Sequence, residues 1–158
     1  MNCGESMDVK KHLNRVKTLH KHTEYTREQL KMIDFCISAV PGADPSRVNV
    51  QSGEHSDRTA ELAIKRAQLA EEYYTARLNE CEAKCEIFTE IVNFAFDGGH
   101  VCDPLYISIL GGKYLRFQTL KQIATESGVS YDWIKHSHGK ALQSFEAFLI
   151  RQEEAAAS

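Results

Sequence analysis

The sequence predicts an all-α protein: a long antiparallel helical hairpin, coiled-coil-like, followed by a small helical bundle with a helix-turn-helix. Three observations carry that expectation. Residues 8–40 hold no Pro or Gly and space apolar side chains by three and four. A longer run with the same spacing follows a loop containing Pro41 and Pro45. The stretch TLKQIATESGVSYDWIKHSHGKAL, residues 119–142, then joins two helical patterns through a single Gly.

The first helix is expected over 8–40, with Leu13, Val16, Leu30, Ile33, Ile37 and Val40 on one stripe. His20, Thr23 and Arg27 interrupt the stripe, so it is only half apolar. The two prolines of the 41–56 loop lack the backbone donor a helix needs, and they end it. The second helix is expected over 57–96, with Asp57 as its N-cap and Glu61 in its first turn. Its stripe reads Ala63, Ala67, Ala70, Tyr74, Leu78, Cys81, Cys85, Phe88, Val92 and Ala95. Such narrow stripes do not stabilise isolated helices, so the two should pair with each other or with a second copy of the chain. That makes 8–97 one domain and predicts a homo-oligomer through the long helices.

The second domain is expected over 103–150. Asp103 caps a helix that starts at Pro104, with Leu105, Ile109 and Leu110 on one face. Thr119 caps the next helix, whose inner face is Leu120, Ile123 and Ala124. Gly128 supplies the left-handed conformation that reverses the chain, Val129 fills the corner and Ser130 caps the last helix. Ile134, Ala141, Leu142, Phe145 and Phe148 form that helix's inner stripe. Gly139 inside it is unusual, and close packing against ISILGGKY would explain it. This order of small residue, Gly, apolar corner, cap and β-branched anchor is that of a helix-turn-helix.

The outer positions are Ser130, Tyr131, Asp132, Lys135, His136 and Lys140, with Trp133 at the margin. A helix entering a major groove N-terminus first presents such positions to bases and phosphates. Lys113, Arg116, Lys121 and Lys140 are expected on phosphates; Tyr131, Asp132, Lys135 and His136 are expected toward the bases. Charge allows this only locally. The formal net charge is -3. Residues 103–151 hold 6 Lys and Arg against 4 Asp and Glu, whereas residues 1–102 hold 13 against 16. The positive excess therefore coincides with the motif.

TLKQIATESGVSYDWIKHSHGKALQSFEAFL resembles region 4 of bacterial sigma factors. It is more similar to small phage and prophage proteins of Gram-positive bacteria, in the neighbourhood of the ArpU- and RinA-type late-gene regulators. DPLYISILGGKYL, Trp133 and HGKALQSFE carry the likeness, which is good over residues 103–149 and only an outline over the hairpin. The resemblance implies a sequence-specific, double-stranded-DNA-binding transcriptional regulator in the bacterial cytoplasm, with RNA polymerase as a further partner. Region 4 carries basic or long polar residues where Tyr131, Asp132 and Trp133 stand, so its promoter element does not transfer. The alternatives are the DNA-recognition subunit of a phage packaging terminase and a protein-interaction module that contacts polymerase.

Other functions find little support. No run is long and apolar enough for a membrane span, and MNCGESMDVKKHL does not read as a signal peptide. Cys81, Cys85, His100 and Cys102 match no common zinc spacing, and free structural thiols are the expected reading. His20 with His22, and His136 with His138, do not face each other on a helix. No phosphate-loop spacing or nucleophile-base order stands out. Neither an enzyme activity nor a cofactor or metal is expected.

Overall fold

A computed structural model describes residues 8–39, 53–97 and 103–158. It is all-α, with no strand among the described residues. The helices are α1 (Val9–Ser38), α2 (Gly53–Ala95), α3 (Pro104–Leu110), α4 (Leu120–Ser127) and α5 (Tyr131–Ala156). A π-helical turn, Gly111–Leu115, continues α3. Packing divides the chain into two compact units that cut across both long helices: Met1–Thr18 with Cys81–Ser158, and Leu19–Glu80. This grouping differs from a division into 8–97 and 103–150.

The unit Leu19–Glu80 is an antiparallel helix pair. His20 meets Glu80 at 2.9 Å, while Asp34, further along α1, pairs with Arg66, further back along α2. Its buried seam is unusually polar, comprising Thr23, Thr26, Ile33, Ala76 and Glu80. Small Thr and Ala side chains fit between closely spaced backbones. The hydroxyls are satisfied within α1, Thr23 donating to the Leu19 carbonyl at 3.1 Å and Thr26 to that of Thr23 at 3.0 Å. The Glu80 carboxylate accepts from Arg77 at 3.4 Å as well as meeting His20. A buried carboxylate is tolerated only with such partners.

The other unit holds most of the apolar core. In α1, Asp8 accepts from the backbone of Lys10 and Lys11 to start the helix, and Val9, Leu13 and Val16 are buried. His12 meets Glu90 at 2.7 Å, and Arg15 donates to Glu86, so α1 and α2 pair here too. Phe94 of α2 contacts Phe145 edge-on at 5.4 Å between centroids and Phe148 at 5.5 Å. Arg151 donates to Asp97 at 2.7 Å. This aromatic trio, with Ile87 and Ile91 also buried on α2, anchors the end of the hairpin to α5.

Several sequence expectations change. Helix α2 begins at Gly53, so Asp57 lies inside it and is not its cap. Its buried face is Ala76, Glu80, Ala83, Ile87, Ile91 and Phe94. The expected stripe lies instead on the opposite side: Ala63, Ala67, Tyr74, Leu78, Cys81, Cys85 and Phe88 are exposed. Both sets recur at three and four residues, so spacing alone does not separate them; Ile87, Ile91 and Phe94 lie on the buried one. Gly139 does not pack closely, for a Cβ there would meet nothing within 4 Å. Helix α5 continues through the tail to Ala156. Val40, residues 41–52 of the expected 41–56 loop, His100 and Cys102 lie outside the described residues.

The glycines give opposite predictions. Gly139→Ala should raise stability by about 1 kcal/mol by removing helix-interior backbone freedom. Gly112→Ala should lower it, because the added Cβ would sit 2.8 Å from Gln118 Oε1 and 3.1 Å from Ile123 Cδ1. Urea unfolding of both variants against the parent checks the pair of signs.

Candidate nucleic-acid interface

The corner between α4 and α5 is built as the residue types require. The Thr119 hydroxyl accepts from the Gln122 backbone at 3.2 Å, and the Gln122 side chain accepts from the Thr119 backbone at 2.8 Å, a reciprocal capping box. Helix α4 ends at Gly128, with φ 65° and ψ 25°, and the Gly128 and Val129 backbones donate back to α4 carbonyls. The Ser130 hydroxyl then accepts from the Trp133 backbone at 3.3 Å and starts α5. Ile109, Ile123, Ala124 and Ile134 close a buried cluster beneath the turn, with Leu105, Leu120 and Val129 packed against it. Ala124 is small enough for the two helices to cross there.

The outer face of α5 follows. Ser130, Tyr131, Asp132, Trp133, Lys135, His136 and Lys140 are all exposed, whereas Ile134, Ser137, Ala141 and Leu142 are buried. Tyr131 is 47% and Trp133 56% exposed, high values for side chains that normally bury much of their area. Ser130 is committed to its cap. Arg116 is exposed and lies 3.9 Å from Glu126, and half-buried Lys113 sits 5.9 Å from the Tyr114 ring centroid.

The structure separates the expected residues into two groups. Lys135, His136 and Lys140 stand on the outer face of α5. Lys113 and Lys121 instead line one half-open cavity of about 640 Å³, which Tyr131, exposed on α5, also lines. Asn14 and Lys17 of α1 complete it, together with the 117–120 segment. Sequence reasoning missed Asn14 and Lys17 because they lie far from the motif in the chain, on a helix that carried no binding signal. It also missed Phe117, whose φ is 58°. A bulky residue in the left-handed region costs on the order of 1–3 kcal/mol and persists only where its surroundings hold it. Lys84 lies 5.2 Å from its ring centroid.

Behind this face, Tyr114 and His138 stack, with the phenol oxygen 3.0 Å from His138 Nε2. Burial, helped by the nearby charges of Lys113 and Lys10, pulls the His138 pKa down to about 4. Burial also pushes the Tyr114 hydroxyl up to about 12. Both are therefore neutral near pH 7.

Among the described residues no His, Cys, Asp and Glu cluster could hold a metal; Cys81 and Cys85 are exposed free thiols. No described helix is long and apolar enough to cross a membrane. No protein family model matches the chain, and no curated protein or solved structure matches it either.

The His138 environment sets a pH dependence. Its folded pKa is below the unfolded value near 6.5, so between these pH values the unfolded chain binds more protons. Its contribution to stability is fully present above about pH 6.5 and is lost as pH falls toward 4. Parent and His138→Phe should differ in the slope of stability against pH over that window, the variant being flatter. Denaturant titrations at stepped pH measure it; parallel slopes would contradict the assignment.

Proposed function

We propose that the chain is a sequence-specific DNA-binding transcriptional regulator that lays the N-terminal part of α5 in the major groove. The observation that carries this reading is the α4–Gly128–α5 corner, which presents Tyr131, Asp132, Lys135 and His136 on one exposed face. On this reading Lys140, exposed further along α5, contacts the phosphate backbone of the bound duplex. The resemblance of residues 103–149 to phage and prophage regulators supports control of a mobile element's genes, with RNA polymerase as a second partner.

A homo-oligomer through the long helices belongs to the same reading. The unit Leu19–Glu80 buries few apolar side chains, yet it exposes Tyr25, Met32, Phe35, Ile64, Tyr74 and Leu78. Phe35 is 73% and Tyr74 70% exposed. Helix pairs with so polar a seam gain stability by burying such side chains against further helices. Tyr74→Glu with Leu78→Glu should shift sedimentation equilibrium toward monomer, and an unchanged mass would remove this face from the assembly.

The second reading is a protein-interaction module, favoured by exposed Trp133 beside Asp132 on a face with little positive charge. Salt-dependent DNA titration decides between them. Lys135→Glu with Lys140→Glu should weaken duplex binding and flatten its dependence on log salt by up to about 2, since each phosphate no longer neutralised removes about 0.9 from the slope. An unchanged slope would take both lysines out of a DNA interface; absence of any duplex affinity in the parent would favour the protein-interaction reading.

A further inference from the structure

The cavity lined by Lys17, Lys113 and Lys121 has features that base reading by α5 does not use. Three lysines from three different segments converge on it: α1, the π-helical turn and α4. None of the three has an acidic partner within ion-pair distance among the described residues. In a chain of net charge -3, three cations without acidic partners around one concavity make a locally positive site. The same walls carry two aromatic rings, Phe117 and Tyr131, and the amide of Asn14. Phe117 holds its place despite a left-handed backbone. The capped N-terminus of α4, at Thr119, also opens on the cavity and adds its partial positive charge.

We propose that this cavity binds a nucleotide unit, its phosphate held by Lys17, Lys113 and Lys121 and its base lying against Phe117 or Tyr131. The volume suits a ligand of that size. Ammonium groups on flexible stems gather around phosphate oxygens, and a flat base stacks on an aromatic side chain without needing a particular sequence. Asn14 offers a hydrogen-bonding group that can read the base or the sugar. The chemistry is the same for a nucleotide within a DNA strand and for a free nucleoside phosphate. The site shares Tyr131 with base reading by α5, and a strand bound to α5 is one source of its ligand.

The test uses the intact protein and two probes: a fluorescent ATP derivative and a labelled DNA duplex. Parent, Lys17→Glu, Lys17→Gln, Lys121→Glu and the remote control Lys65→Glu are compared, with circular dichroism melts to verify folding. Lys17 is exposed, so its variants should fold like the parent. Tenfold or weaker ATP binding in Lys17→Glu and Lys121→Glu, with a smaller loss in Lys17→Gln and none in Lys65→Glu, identifies a free nucleotide as ligand. The same ranking with the duplex, and no ATP binding by the parent, identifies a nucleotide of a DNA strand. If neither probe binds the parent, or if Lys17→Glu changes neither affinity more than Lys65→Glu does, the proposal is overturned. If Lys17→Glu and Lys121→Glu leave both affinities unchanged while Lys135→Glu with Lys140→Glu loses duplex binding, the proposal is overturned and the DNA-reading role of α5 stays in place.

Discussion

The candidate interface depends on one constraint, the reversal of the chain at Gly128 over a buried apolar cluster of Ile109, Ile123, Ala124 and Ile134. Positive φ is free for Gly and costly for a residue with a Cβ. Once the chain turns there, the backbone groups at the end of α4 are satisfied by Gly128 and Val129, and Ser130 is positioned to cap α5. The cap and the buried Ile134 together set the rotation of α5 about its own axis. That rotation alone decides that Lys135 and His136 face outward while Ala141 and Leu142 face in. Capping interactions of this kind contribute about 1 kcal/mol each, so the corner is held by several modest terms acting in one direction.

The long helices follow a different logic. Their seam in the unit Leu19–Glu80 relies on threonines, an alanine and a buried carboxylate bound by His20 and Arg77. Such groups specify register more than they add stability, because a slip would leave Glu80 buried without its partners. Several large apolar side chains of the same unit, among them Tyr25, Phe35 and Tyr74, remain at the surface. A helix with two opposed stripes is suited to one partner within the chain and another outside it.

Much of the C-terminal part was legible in the sequence because each signal there is local. Asp103 and Thr119 act as caps, Gly128 takes the left-handed conformation, and Ile134 with Phe145 and Phe148 is buried, as spacing and turn chemistry imply. What was illegible depends on contacts between distant segments. The face of α2 that turns inward could not be chosen from periodicity, since both stripes share it; it is set by contacts with distant segments, such as Glu90 with His12 and Phe94 with Phe145. The π-helical turn and the left-handed Phe117 have no sequence signature, and Gly112 reveals its role only when Gln118 and Ile123 are seen against it. Lys17 gave no signal in sequence because its neighbours in the cavity come from the far end of the chain.

The central claim is that the exposed face of α5 reads base sequence in duplex DNA. Selection of bound fragments from a random pool of duplexes by the intact protein, followed by sequencing, tests it most directly. The expected outcome is enrichment of one discrete motif, and loss of preference at particular positions of that motif when Tyr131 or Lys135 is replaced by Ala. A pool that stays unenriched after repeated rounds, or a motif unchanged by both replacements, would contradict it.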